Sequence, residues 1–338
     1  MKADNWGLLG HEWAVEMLKQ HLIHGSARQA YLFCGPPGVG RRTLALRFAQ
    51  ALNCLNPPAP GEPCGTCKTC QQIERMQYTD LTIIQAEKEG GTLKVEQIRA
   101  LRQSISLKPY QGKYRVVLFL RFQEANASAT NALLKTLEEA PAHAILLLTA
   151  DTPEQLAPTI PSRCEILRLR PLPVERVEMF LKEHGADEPA AHLLAHVSGG
   201  RPGYALRLMQ DKDALDFRAR RLDDLGSLLG STRGERFAYA EKLTYRKKKD
   251  AETEEHFRET LLIWLSFWRD VLMRGAGSEA PLVNVDHAGA VDALAEKLTL
   301  PEELKLVSDA EGAIDKLEHN VNARLLAEIL LLDWPRIA

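Results

Sequence analysis

A chain of 338 residues, 45% hydrophobic and 26% charged, has the make-up of a soluble globular protein and the length of two or three domains. Its formal net charge of −2 gives no overall pull toward nucleic acid, so any such contact must rest on a local patch. No stretch approaches the roughly 20 apolar residues of a membrane span, and the opening residues lack a signal-peptide pattern, so a cytoplasmic location is expected. Six cysteines in such a chain point to a metal site or to packing rather than to disulfides.

The first half alternates short apolar runs with helical patterns, the rhythm of a parallel α/β sheet. Strands are expected at 30–34, 81–85, 116–120, 144–149 and 165–169. Helices are expected at 43–52, 95–107 and 127–139, where apolar residues recur three and four apart. After Pro171 the strand signals stop. Residues 173–208 read as a small helical unit and 213 onward as a larger one, which divides the chain at 1–170, 171–208 and 209–338. In the last part Trp264, Phe267 and Trp268 stand at helical spacing and read as core. The mixed-sign run 246–256 reads as a solvated turn or helix start.

The first strand runs into Gly35-Pro36-Pro37-Gly38-Val39-Gly40-Arg41-Arg42-Thr43 and then a helix, the setting of a Walker A phosphate loop. Such glycines let backbone N–H groups curl around a phosphate at a helix N-terminus. A working loop follows its last glycine with Lys, which reaches the β- and γ-phosphates, and then Ser or Thr, which ligates magnesium. Arg41 and Arg42 stand in those two positions, and Thr43 comes one residue too late. Arg41 keeps the charge in a larger, planar fork, whereas Arg42 puts a second cation where a metal ligand belongs. Gly35, Gly38, Gly40, Arg41 and Arg42 leave nucleotide binding open, but efficient hydrolysis is not expected. The strand at 116–120 repeats the lesson. A Walker B strand ends in Asp and Glu; this one ends in Arg121-Phe122-Gln123-Glu124. The competing reading is a live ATPase with an altered loop.

Cys54, Cys64, Cys67 and Cys70 form a C-x9-C-x2-C-x2-C pattern across a Pro- and Gly-rich stretch that is free to loop back. Four closely spaced thiolates suit a closed, tetrahedral structural zinc site. An iron–sulfur cluster is the competing metal, although the spacing is not one of the common ferredoxin runs. Cys34 and Cys164 adjoin apolar strands and read as packing residues.

Further motifs carry a resemblance. Leu9-Gly10-His11-Glu12, Lys94-Val95-Glu96-Gln97-Ile98-Arg99, the long run Asn131-Ala132-Leu133-Leu134-Lys135-Thr136-Leu137-Glu138-Glu139-Ala140-Pro141, Ser162-Arg163-Cys164 and residues 320–332 are similar to signatures of one family. With the damaged loop and the cysteines, they make the chain resemble the bacterial DNA polymerase III clamp-loader subunits, an AAA+ group. The resemblance implies an α/β P-loop AAA+ domain with a parallel sheet and a zinc module at 54–70, then a small helical lid and an all-α C-terminal collar. It places Thr149 at the sensor-1 position and the sensor-2 arginine near Gly203, where it is missing, with Arg201 two residues away. Degenerate Walker motifs beside an intact Ser-Arg-Cys resemble the delta' branch rather than gamma/tau. The implied role is a non-hydrolysing subunit that assembles with gamma/tau and delta to load a sliding clamp onto primer–template DNA. Arg163 is then a catalytic arginine finger for the neighbouring subunit's ATP, and Arg99 touches a DNA phosphate. The alternatives are a catalytically active gamma/tau-like ATPase and a zinc-stabilised DNA-binding protein.

Overall fold

A computed structural model describes residues 5–88, 90–245, 251–318 and 321–336. The chain divides into two compact units, Met1–Phe180 with Gly200–Tyr204, and Leu181–Gly199 with Ala205–Ala338.

The first unit runs α1 (Glu12–Ile23), β1 (Ala30–Cys34), α2 (Arg41–Asn53), α3 (Lys68–Glu74), β2 (Leu81–Ile84), α4 (Val95–Ile105), β3 (Arg115–Phe119), α5 (Ala127–Glu139), β4 (Ala144–Ala150) and β5 (Glu165–Arg168). The five strands make one sheet in the order β2-β3-β4-β1-β5, every pair parallel. β1 and β4 are buried along their whole length, as strands covered on both faces must be. Side-chain alternation along β1 divides it between two cores. Tyr31 and Phe33 pack with Leu18 of α1 and with Leu44 and Phe48 of α2. Ala30, Leu32 and Cys34 pack with Ile98 of α4 and Leu133 of α5. The register pairs Cys34 with Ala150, so the C-terminal ends of β1 and β4 lie side by side where the strand order reverses. That switch point is where an open α/β sheet forms its crevice.

Several boundaries differ from the sequence expectation by one or two residues. α2 begins at Arg41 because Gly40 adopts φ 115°, a left-handed turn that lets the helix start at once. β3 begins and ends one residue earlier than expected. Its end precedes a turn in which Arg121 is left-handed at φ 51°. α4 stops at Ile105, two residues early, and Pro109 follows shortly after.

In the second unit every described element is helical. α6 (Val174–Glu183) leads into it, followed by α7 (Glu188–Val197), α8 (Pro202–Gln210), α9 (Lys212–Gly230) and α10 (Arg233–Thr244). The chain closes with α11 (Ala251–Gly275), α12 (Ala288–Lys297), α13 (Leu300–Glu318) and α14 (Ala323–Asp333). Trp264, Phe267 and Trp268 are buried here, as their spacing on a helix predicts. Trp334 sets its ring edge against Trp264 and Trp268 at 4.9 and 5.5 Å. Buried Arg236 donates to the carbonyls of Leu331 and Trp334, placing its charge at the C-terminal end of α14. Residues 246–250 of the mixed-sign run and residue 320 of the closing signature lie outside the described residues. Among the described residues no helix is long and apolar enough to cross a membrane.

Candidate functional site

β1 delivers the glycine-rich loop onto the N-terminus of α2, where helix N–H groups point outward without intrahelical partners. Gly40 has open space where a side chain would project, so its left-handed backbone alone requires glycine. Gly38 is different. A Cβ there would sit 2.8 Å from the backbone nitrogen of Tyr204, and its carbonyl accepts from Gly203 N–H at 2.9 Å. Gly203 and Tyr204, in the first turn of α8 and part of the first unit, therefore rest directly on the loop. Arg201, near the expected sensor-2 position, lies over the Tyr204 ring at 4.5 Å.

Arg41 is the first residue of α2 and only 9% exposed, and its Nη1 lies 2.6 Å from Oδ1 of Asp151. Asp151 follows β4, and its carbonyl accepts from Gly35 N–H at 2.9 Å. One residue thus holds both the entry and the exit of the loop. Nothing local in the sequence marks Asp151 as the partner of Arg41; the β1–β4 pairing brings it there. Arg42 and Thr43 are exposed.

The end of β3 is tied in a similar way. Arg121 N–H donates to Thr149 Oγ1 at 2.9 Å, and that hydroxyl donates to Phe119 O at 3.2 Å. The Arg121 guanidinium turns to Glu124, 2.7 Å from Oε1, which also accepts from Gly90 N–H. Phe122 is buried with its ring edge-on to Phe119 at 5.5 Å, so it serves the core. The carboxylates described at this crevice, Asp151 and Glu124, are each paired with an arginine.

The four cysteines expected to share a metal do converge. Cys54, Cys64, Cys67 and Cys70 place their sulfurs within 4.8 Å of one another. Backbone N–H groups of Cys64, Cys67 and Cys70 point at the sulfurs of Cys54, Cys64 and Cys67, at 3.3, 3.2 and 3.5 Å. Such N–H···S bonds stabilise thiolates, the form that binds metal. At Cys64 burial works to raise the thiol, but the N–H groups of Cys67 and Thr66 outweigh it and bring it down to about 6. Burial pushes Cys54 and Cys70 upward. Four sulfur donors with bound N–H groups fit a closed tetrahedral zinc centre. The module is anchored at several points. Buried Gln50 of α2 donates to Cys70 O at 2.8 Å, and Arg47 pairs with Glu74. Lys19 of α1 reaches Glu62 at 2.8 Å, and Trp6 donates to Gly61 O at 3.2 Å. Cys34 and Cys164 pack in the second core, where burial raises their thiols to about 11 and about 12.

Arg163 lies in a short turn before β5 with its side chain 35% exposed. Its Nε and Nη2 are 2.8 and 2.5 Å from Oε1 of Glu138, and its Nη1 donates to Thr159 O at 3.0 Å. Arg99 and Arg102 are exposed on α4, while Ile98 and Leu101 of the same helix are buried in the core. Lys94, just before that helix, pairs with Glu87 at 3.7 Å.

A five-stranded parallel sheet with a phosphate-type loop at its switch point, followed by helices, is the layout that the sequence resemblance implied. Residues 10–173 match the family described as DNA polymerase III, delta subunit. The DNA polymerase III subunit delta' of Bacillus subtilis is 29% identical over 94% of this chain and 94% of its own length. That of Pseudomonas aeruginosa is 38% identical over 59% of this chain and 61% of its own. The subunit tau of Salmonella typhimurium is 37% identical over 60% of this chain, and the chain spans about a third of that relative (32%). These matches support a clamp-loader subunit of DNA polymerase III.

Proposed function

We propose that the chain is the delta'-like subunit of its clamp loader, deficient in ATP hydrolysis, and that it serves a neighbouring active site. The observation that carries this is the pair between Arg41 and Asp151. Arg41, in the position of the lysine that grips a γ-phosphate, already has an anion, supplied by its own chain. Arg42 replaces the magnesium-ligating hydroxyl, and Arg121 stands where the metal-binding acid belongs. The loop glycines retain the shape of a phosphate cradle without the groups that position a metal and a water. Relatives named delta' support the same assignment.

In this role Arg163 is the arginine finger. It stands on a turn, half-exposed, and carries a planar cation suited to the charge that develops on a transferring phosphoryl group. The partners are gamma/tau and delta, and through them the sliding clamp and primer–template DNA. Residues 171–208 act as the lid and 209–338 as the collar that joins the subunits, all in the cytoplasm. The cysteine module holds a structural zinc, and Arg99 supplies a non-specific phosphate contact.

Reconstitution with gamma/tau, delta, clamp and primed DNA tests this. The purified chain alone should show no ATP turnover. In the complex, Arg163→Ala should slow turnover at the site facing this chain by roughly a thousandfold. Turnover by the isolated chain would make it an active ATPase with an altered loop, and an unchanged rate for Arg163→Ala would remove the finger.

A further inference from the structure

Glu138 and Glu139 end α5 as neighbours, yet they face different cations. Glu139 lies 3.9 Å from Lys135 on its own helix, whereas Glu138 reaches across 25 residues of chain to Arg163. One carboxylate oxygen, Oε1, takes both Nε and Nη2 of that arginine, at 2.8 and 2.5 Å. Thr159 O takes Nη1 at 3.0 Å. Three nitrogens are thus oriented from the chain's own side. Nη1 also lies 3.4 Å from Ser162 Oγ, so of the five N–H donors that a guanidinium carries in a fixed plane, the second N–H of Nη2 is the one left to offer.

We propose that Glu138 is a positioning residue that aims Arg163 at the neighbouring subunit's phosphate. This rests on the finger role of Arg163 given above. A long arginine side chain on an exposed turn has many rotamers, and a productive contact with a transition state needs one of them. The carboxylate of Glu138 and the carbonyl of Thr159 select that rotamer before the partner arrives. Part of the selection comes from a helix end, so the arginine is oriented by the body of the unit as well as by its own turn. An exposed pair of this type contributes little to folding. Its value lies in the direction it gives the cation.

The test is steady-state ATP hydrolysis by the reconstituted complex, read at the one site facing this chain while the other nucleotide loops are disabled by substitution. Glu138→Ala should lower kcat roughly tenfold to a hundredfold with KM for ATP within about twofold, since misplacement by about an ångström has that effect. Glu138→Gln keeps an accepting oxygen and should recover much of the loss. Glu139→Ala should behave as the unaltered protein. In an Arg163→Ala background, Glu138→Ala should add nothing further. If Arg163→Ala itself leaves the rate unchanged, the finger role fails and takes this proposal with it. If Arg163→Ala slows turnover but Glu138→Ala does not, the finger stands and the positioning role is overturned. A faster enzyme with Glu138→Ala, or an added loss in the Arg163→Ala background, also overturns it.

Discussion

Arg41 and Arg163 are each held by a carboxylate contributed from elsewhere in the same unit, and what separates them is water. Arg41 is 9% exposed and pairs with Asp151 at the inner end of two central strands. Arg163 is 35% exposed and pairs with Glu138 on a helix end. In the first setting, removing the partner strands a charge where little solvent can replace it. In the second, water substitutes readily, and the pair governs orientation more than stability. The same residue type thus becomes a structural cation at one end of the sheet and an outward-facing one at the edge.

The sharpest way to break this comparison is at Arg163 itself, where the loss in turnover described above should come with an unchanged unfolding midpoint. Next in size, Cys64→Ser should abolish one-to-one zinc retention, seen by metal analysis. It should also lower stability by on the order of 3 kcal/mol or more in denaturant unfolding. The cysteine module is fastened to α1 and α2 rather than to Arg163, so the surviving folded fraction should still support the neighbour's ATP turnover. Asp151→Ala should then cost about 1–3 kcal/mol, less than a fully buried pair because the Asp151 side chain is 31% exposed, again read from denaturant unfolding. The smallest effect is expected from Arg42→Thr. Arg42 is exposed on α2, so both the unfolding midpoint and the turnover of the complex should stay within error. A gain of ATP hydrolysis by the Arg42→Thr chain alone would mean that the loop was one residue from activity, and the contrast between the two arginines would collapse.

Much of the fold was legible because its signals are local. Apolar runs bounded by turn residues marked all five strands, and α5 begins and ends where its spacing predicted. The cysteine centre was legible for the same reason. C-x2-C-x2-C spacing brings the backbone N–H of one cysteine onto the sulfur of the cysteine three residues before it, a geometry fixed over a single turn. The partners of the two arginines were not legible. Asp151 lies 110 residues from Arg41, and Glu138 lies 25 residues from Arg163. Each pair depends on which strands and helices become neighbours. Glu138 stood inside a recognised signature, but beside Glu139 it had no mark of its own. The division between units was also hidden. Gly200–Tyr204 groups with the sheet while the helical residues on either side of it do not.

The pair between Arg41 and Asp151 also has a meaning in terms of competition. A carboxylate tethered by its own backbone acts at an effective concentration in the millimolar range or above, and it is present at one copy per arginine whatever the solution holds. Any dissolved anion that sought Arg41 would have to displace a rival that never diffuses away. On the function proposed above, the pairing of Arg41 is therefore set when the chain folds rather than by the rise and fall of ATP against ADP around it.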